Sequence, residues 1–339
     1  MDKIKVVQIG TGHDHAAPSI MTLKRMSDVF DLVGYVPLPN EEEMFKPNAV
    51  YYEGVPCLTL EQAFAIQGLQ AVVIETEDCN LSEYAYLALS KGLAVQMDKP
   101  GSQDKASFDR TVDYAKEKGL PLHFGYMYRY NPAIKEAEQL VKEGALGKVY
   151  SIEAQMSCYH PESKRAWLKK YKGGMMNFLG CHLVDLIYRI LGAPNEVIPF
   201  NSITREDIGA EDLGMAIFKY DNGASFIKSV AMEIGGFTRR NIVITGENGI
   251  IEISPTEYFK PGEYRLQYTD MRVAFKGERD ASALWSYRGE SKTFGPVDRY
   301  EDMFNEFASI VRGEIENPYS YDYEKNMHDV LLKACGVEK

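Results

Sequence analysis

Ile4-Lys5-Val6-Val7-Gln8-Ile9-Gly10-Thr11-Gly12 is the stretch that decides the fold. A short β-branched apolar run that breaks into two glycines ahead of a helical pattern opens a dinucleotide-binding βαβ unit. The glycines permit a tight turn and let a pyrophosphate approach backbone N–H groups at a helix N-terminus. The match is partial, because His15 stands at the third glycine position and Pro18 falls near the first turn of the helix. His13, Asp14 and His15 raise the thought of a metal, but three adjacent residues rarely face one ion. No metal is expected.

Working outward, Asp31–Val36 reads as a second buried strand, and Thr59-Leu60-Glu61-Gln62 has capping-box spacing before a short helix. Ala71–Glu75 is a third strand and Ala94–Met97 a fourth, with a helix over 81–91 between them. Another helix over 102–118 stops at Gly119 and Pro121, where a further strand begins. Strands alternating with helices mean a doubly wound parallel sheet with right-handed crossovers, a Rossmann domain over residues 1–125. Ligands of such sheets sit at the carboxyl ends of the strands, which gathers Gly10–His13, Thr76–Asp78 and Asp98–Pro100. No acid ends the second strand to take a ribose hydroxyl: Pro37 follows Val36, and Glu41–Glu43 come later in a loop. No arginine stands ready for a 2′-phosphate either, so NAD and NADP both remain open.

From Tyr126 onward the pattern changes. An amphipathic helix ends at Gly144, and Lys148–Ser157 alternates as a strand. Leu213–Tyr220 and Ala224–Ala231 flank Asp221-Asn222-Gly223, and Asn241–Thr245 and Ile250–Ser254 flank Gly246–Gly249; both read as hairpins. Tyr264–Thr269 and Met271–Lys276 suggest two more strands. Residues 126–339 thus read as an α+β domain, with an open antiparallel sheet and helices on one face, and are expected to serve substrate binding and oligomerisation. The helices over 300–312 and 323–335 close the chain and can return to the first domain. A sheet covered on one face leaves the other for a second subunit, so a homo-oligomer, dimer or tetramer, is expected.

Within this half, Lys172–Gly192 (KGGMMNFLGCHLVDLIYRILG) reads as a largely buried helix with Asn177 as N-cap and Gly192 just past its end. Phe178, His182, Asp185 and Arg189 fall on one narrow stripe. A titratable imidazole on such a helix is either a satisfied core residue or a catalytic acid/base. Asp185 and Arg189 have the spacing of a structural i,i+4 pair.

Composition bounds the function. The chain has 339 residues, 45% of them hydrophobic, and a net charge of −11, which argues against nucleic acid and anionic membranes as partners. Five scattered cysteines without metal-ligand spacing point to reduced thiols. The sequence begins directly in a strand pattern and carries no transmembrane run, so a cytoplasmic location is expected.

Several motifs occur in order: Gly10-x-Gly12, Asp98-Lys99-Pro100, Tyr128-Arg129-Tyr130-Asn131-Pro132, Gly173-Gly174 followed by Gly180-Cys181-His182-Leu183-Val184-Asp185, and Ile244–Gly249. Together, over essentially the whole chain, they resemble the Gfo/Idh/MocA oxidoreductases, which include glucose-fructose oxidoreductase and inositol dehydrogenase. The resemblance implies an NAD(P)-dependent dehydrogenase or reductase acting on the CH–OH groups of a sugar, cyclitol or sugar derivative. NAD or NADP is the implied cofactor, with NAD favoured.

By the same resemblance, Lys99 contacts the nicotinamide ribose and the reacting hydroxyl, where an ammonium stabilises a developing alkoxide. Asp98 takes the place of the family's glutamate as ribose acceptor. Gly10, Thr11, Gly12, His13, Thr76, Asp78, Pro100 and Arg129 complete the expected cofactor set. His182 matches the family's substrate-binding acid/base, since an imidazole exchanges protons near neutral pH. Tyr126, Tyr159, His160, Arg165, Asn177 and Asp185 are the substrate-binding candidates. Many members carry an aspartate four residues before the histidine; here that position is Phe178. Two other readings share the fold: a glycosidase that retains NAD and acts by transient oxidation and elimination, and a non-catalytic nucleotide-binding regulator.

Overall fold

The computed structural model describes residues 2–337 apart from 261, 262 and 264. The chain divides into two compact units, Met1–Met127 with Tyr300–Lys325, and Tyr128–Arg299 with Asn326–Lys339.

The first unit is built on a five-stranded parallel sheet of β1 (Ile4–Ile9), β2 (Phe30–Val36), β3 (Ala71–Ile74), β4 (Ala94–Met97) and β5 (Leu122–Phe124). Its order is β2-β1-β3-β4-β5. All four residues of β3 and of β4 are buried, as expected for strands covered on both faces. Local sequence sets the helix ends. Thr59 and Gln62 form the expected capping box, and Asp104 caps the Lys105–Lys118 helix through the N–H groups of Ala106 and Ser107. Gly119, left-handed at φ +62°, ends that helix. The Glu301–Val311 helix belongs here too, with Phe304 edge-on to Phe30 and Phe307 against His123.

The second unit carries an eight-stranded sheet of β6 (Val149–Gln155), β7 (Glu196–Pro199), β8 (Leu213–Tyr220), β9 (Gly223–Val230), β10 (Asn241–Gly246), β11 (Gly249–Ile253), β12 (Leu266–Phe275) and β13 (Glu290–Asp298), in the order β13-β12-β11-β10-β6-β9-β8-β7. Both expected hairpins form, β8 with β9 and β10 with β11. The sheet is mixed rather than purely antiparallel, because β6 and β9 run parallel. The two strands expected over 264–276 are one continuous strand, β12, and Tyr264 lies outside the described residues. The helix over residues 176–191 packs on β6, β8 and β9.

Candidate functional site

In the first unit, β1 and β3 are neighbours at the point where strand order reverses, the place such sheets offer to ligands. Gly10 has φ +95°, and a Cβ there would stand 2.4 Å from the Thr76 backbone nitrogen. Only glycine fits so close to the end of β3. Across this turn lies Glu41, 4% exposed. Its Oε2 accepts from the Thr11 N–H (2.7 Å), the Thr11 hydroxyl (3.1 Å) and the Leu38 N–H (3.1 Å), and its Oε1 from the Thr76 hydroxyl (2.6 Å). A Cβ on Gly12 would meet that carboxylate at 2.7 Å. The loop after β2 therefore returns the acid that the end of the strand lacks, five residues late.

Behind the turn is a buried set of charges, His13, His15, Glu75, Asp78, Asp98 and Lys99, none more than 8% exposed. His15 Nδ1 lies 2.9 Å from Asp98 Oδ2, and Asp98 Oδ1 accepts the Lys99 N–H at 2.6 Å. The His15 N–H donates to His13 Nδ1 (3.1 Å), leaving His13 Nε2 as donor to the Lys99 carbonyl (3.2 Å). His13 Nδ1 also lies 3.5 Å from Glu75 Oε2 and from Asp98 Oδ2, and its Nε2 lies 3.5 Å from Asp78 Oδ1. Burial, and then the Asp98 charge, push the Glu75 carboxyl well above its ordinary value. Burial raises Asp98 as well, although His13 and Lys99 pull it back. Tyr126 is buried in this same unit.

In the second unit, the His182 helix begins earlier than the sequence suggests. Residues Met176–Gly180 take π-helical geometry and run into the α-helix Cys181–Leu191. Asn177 is thus inside the helix and not its cap. The approach is organised by Glu211, whose carboxylate accepts the Gly173 N–H (2.6 Å) and whose carbonyl accepts the Met175 N–H (3.0 Å). The stripe also separates into different surroundings. The Phe178 ring packs with His160 and Trp167, while buried His182 meets the Tyr128 ring edge-on at 4.9 Å.

Asp185 makes the expected pair with Arg189 (3.1 Å) and also binds Arg129 through its Nε and Nη2, the shorter contact at 2.7 Å. Arg129, expected at the cofactor, binds Asp185 of its own unit. Arg165 is buried against Asp212 (3.0 Å), and Tyr159 is two-thirds exposed. A fully buried Glu257, unremarked in the sequence, binds Arg240, Arg299 and the Tyr128 hydroxyl. Burial pushes its carboxyl up, but Arg299 and Arg240 outweigh this and hold it below the usual range.

Residues 134–252 match the GFO/IDH/MocA C-terminal domain. The match assigns that stretch, about a third of the chain, to the Gfo/Idh/MocA type. A D-xylose 1-dehydrogenase (NADP(+)) of Haloferax volcanii is 26% identical over 270 residues, 76% of this chain and 75% of that protein. A scyllo-inositol 2-dehydrogenase (NAD(+)) of Bacillus subtilis is 23% identical over 47% of each chain, about half its length. Among solved structures, an aldose-aldose oxidoreductase from Caulobacter crescentus, complexed with glycerol, superposes with a TM-score of 0.79 at 18% identity. That match covers 100% of this chain and 99% of the other. The WlbA dehydrogenase of Bordetella pertussis, in complex with NADH and UDP-GlcNAcA, gives 0.74 at 18% identity, covering 99% and 96%. These likenesses carry the same two-part fold. No described helix is long and apolar enough to cross a membrane.

Proposed function

We propose that this Gfo/Idh/MocA-type protein is a dehydrogenase of a sugar, cyclitol or sugar derivative that prefers NAD to NADP. The named relatives act on substrates of this class with one or the other nucleotide. The observation that carries the preference is Glu41, a buried carboxylate held by four donors at the Gly10–Gly12 turn. A carboxylate accepts hydrogen bonds from a ribose diol and repels a 2′-phosphate. Two like charges about 4 Å apart cost about 4 kcal/mol at an effective dielectric of 20, enough to decide between the nucleotides.

The turn is closely packed, Gly10 against the Thr76 backbone and Gly12 against the Glu41 carboxylate, which sets the polar groups of Glu41 and Thr76 beside the glycines. When bound, the nicotinamide supplies a hydride acceptor or donor. Lys99, in the first unit, stabilises negative charge on the reacting oxygen. His182 is the second unit's proton-exchanging group. Phe178 brings an apolar ring where many relatives carry an acid, so His182 works without a carboxylate one turn before it.

The chain also associates through the open face of the large sheet. A cross-strand row of Ile198, Ile217, Phe226, Glu153, Val243 and Glu252 lies there, with Phe226 41% exposed. Phe226→Glu is expected to lower the mass measured by light scattering.

The deciding experiment is titration of NAD and NADP against the purified protein, followed by oxidation of a sugar and polyol panel. NAD is expected to bind at least tenfold tighter, and Glu41→Gln to shrink that ratio. If neither nucleotide binds at submillimolar concentration, the proposal fails.

A further inference from the structure

We propose that His13, His15, Glu75 and Asp98 form a binding site for one divalent transition-metal ion of the zinc class. Three potential ligand atoms converge, Nδ1 of both histidines and a carboxylate oxygen of Asp98, and Glu75 Oε2 lies beside His13 Nδ1 as a candidate fourth. The His13, His15 and Asp98 atoms all lie within 4.8 Å of one another. The measured edges are 3.5 Å (His13–Glu75), 3.5 Å (His13–Asp98) and 2.9 Å (His15–Asp98). Metal–ligand bonds of about 2.0–2.2 Å in a tetrahedron give edges of about 3.3–3.5 Å, so small adjustments close the shell.

The surroundings also suit an ion. The His13 Nε2–H donates to the Lys99 carbonyl (3.2 Å), which fixes the tautomer and turns the Nδ1 lone pair toward both carboxylates. A histidine ligand is commonly oriented in this way, by a backbone carbonyl on its other nitrogen. A lone pair facing two carboxylate oxygens needs positive charge among them. The His15 N–H, 3.1 Å from the same Nδ1, supplies only a partial one and is the contact an ion displaces.

Mixed nitrogen and oxygen ligands suit zinc or cobalt(II) better than magnesium or calcium, which prefer all-oxygen shells. Four protein ligands, each almost fully buried, describe a closed, structural coordination. The ion ties the turn at His13 and His15 to the ends of β3 and β4.

The test uses the full chain, stripped with chelator, reloaded with Zn(II) or Co(II), and dialysed. One zinc per chain by elemental analysis and a tetrahedral Co(II) visible band are expected, together with a higher melting temperature in Zn(II) than in chelator. His15→Gln and Glu75→Gln are expected to lose the band while keeping native circular dichroism. The proposal is overturned by a zinc content well below one per chain, by no Co(II) band in wild type, or by an unchanged band in both variants. None of these readouts requires nucleotide, so they stand apart from the dehydrogenase test.

Discussion

His15 Nδ1 lies 2.9 Å from Asp98 Oδ2, and this contact joins the turn after β1 to the end of β4. By the sequence resemblance these positions are expected to carry a glycine and a glutamate; here an imidazole and the shorter carboxylate meet instead. Asp98 is also hemmed in from behind: a Cβ on Gly125 would stand 2.9 Å from its Cα and 3.0 Å from its Cγ. An added methylene has nowhere to go while the imidazole is present. Asp98→Glu alone is therefore expected to destabilise the protein by about 1–3 kcal/mol, the usual cost of overpacking. Combined with His15→Gly it should recover part of that loss. A double-mutant cycle by urea unfolding checks this, with a coupling of about 1 kcal/mol or more expected. Additive effects would mean that the pair is not energetically linked.

Gly10→Ala is expected to be among the most damaging small substitutions in the chain. The new methyl would sit 2.4 Å from the Thr76 nitrogen, which is backbone and cannot swing away, and φ +95° is disfavoured for alanine. Separation of β1 from β3 would also break the Glu41 contacts that span them. Loss of soluble protein, or a melting temperature lowered by several degrees, should follow. Gly54→Ala is the control, since it shares a positive φ but meets nothing within 4 Å.

The first unit was legible because its signals are local: β-branched runs, a capping box, a left-handed glycine after a helix. The second gave up its hairpins for the same reason. What stayed hidden depends on distant chain returning. The parallel β6–β9 pairing joins residues 73 apart, as Glu153 with Phe226, and no local pattern announces it. Glu41 sits five residues beyond β2 and becomes a ligand of the glycine turn only because the loop folds back. His13 and His15 were set aside as neighbours that rarely share an ion. They converge because the turn around Asp14 brings both rings to Asp98, with centroids 4.8 Å apart. The cap assigned to Asn177 failed because the Gly173–Gly174 turn and Glu211 start the helix earlier.

Asp185 holds two guanidiniums, Arg129 and Arg189, in a buried setting. Asp185→Ala should therefore cost about 3–5 kcal/mol, since it strands buried positive charge rather than removing a pair. Glu138, which also binds Arg189, limits the damage on that side. The double substitution Asp185→Leu with Arg129→Met should be more stable than Asp185→Ala, because it removes charge and carboxylate together. Urea unfolding of the three proteins decides the point; equal midpoints for the single and double variants would contradict it.

Glu257 gives the acid dependence of stability. Its carboxyl titrates below the ordinary 4.5 in the folded chain, because the attraction of Arg299 and Arg240 exceeds the cost of burial. The unfolded chain then binds the proton more readily than the folded one. Its contribution is fully present above about pH 4.5 and is lost as pH falls through the depressed folded value. Glu257→Gln keeps the shape but leaves the buried Arg240 and the part-buried Arg299 facing an amide, so at pH 7 it should cost about 3 kcal/mol. Over the acid window the variant should lose less stability than wild type, and the two curves should approach one another as pH falls. Urea midpoints measured from pH 7 down to pH 3 test both parts. Parallel curves would show that Glu257 is not the group being titrated, even if the neutral-pH loss is as large as expected.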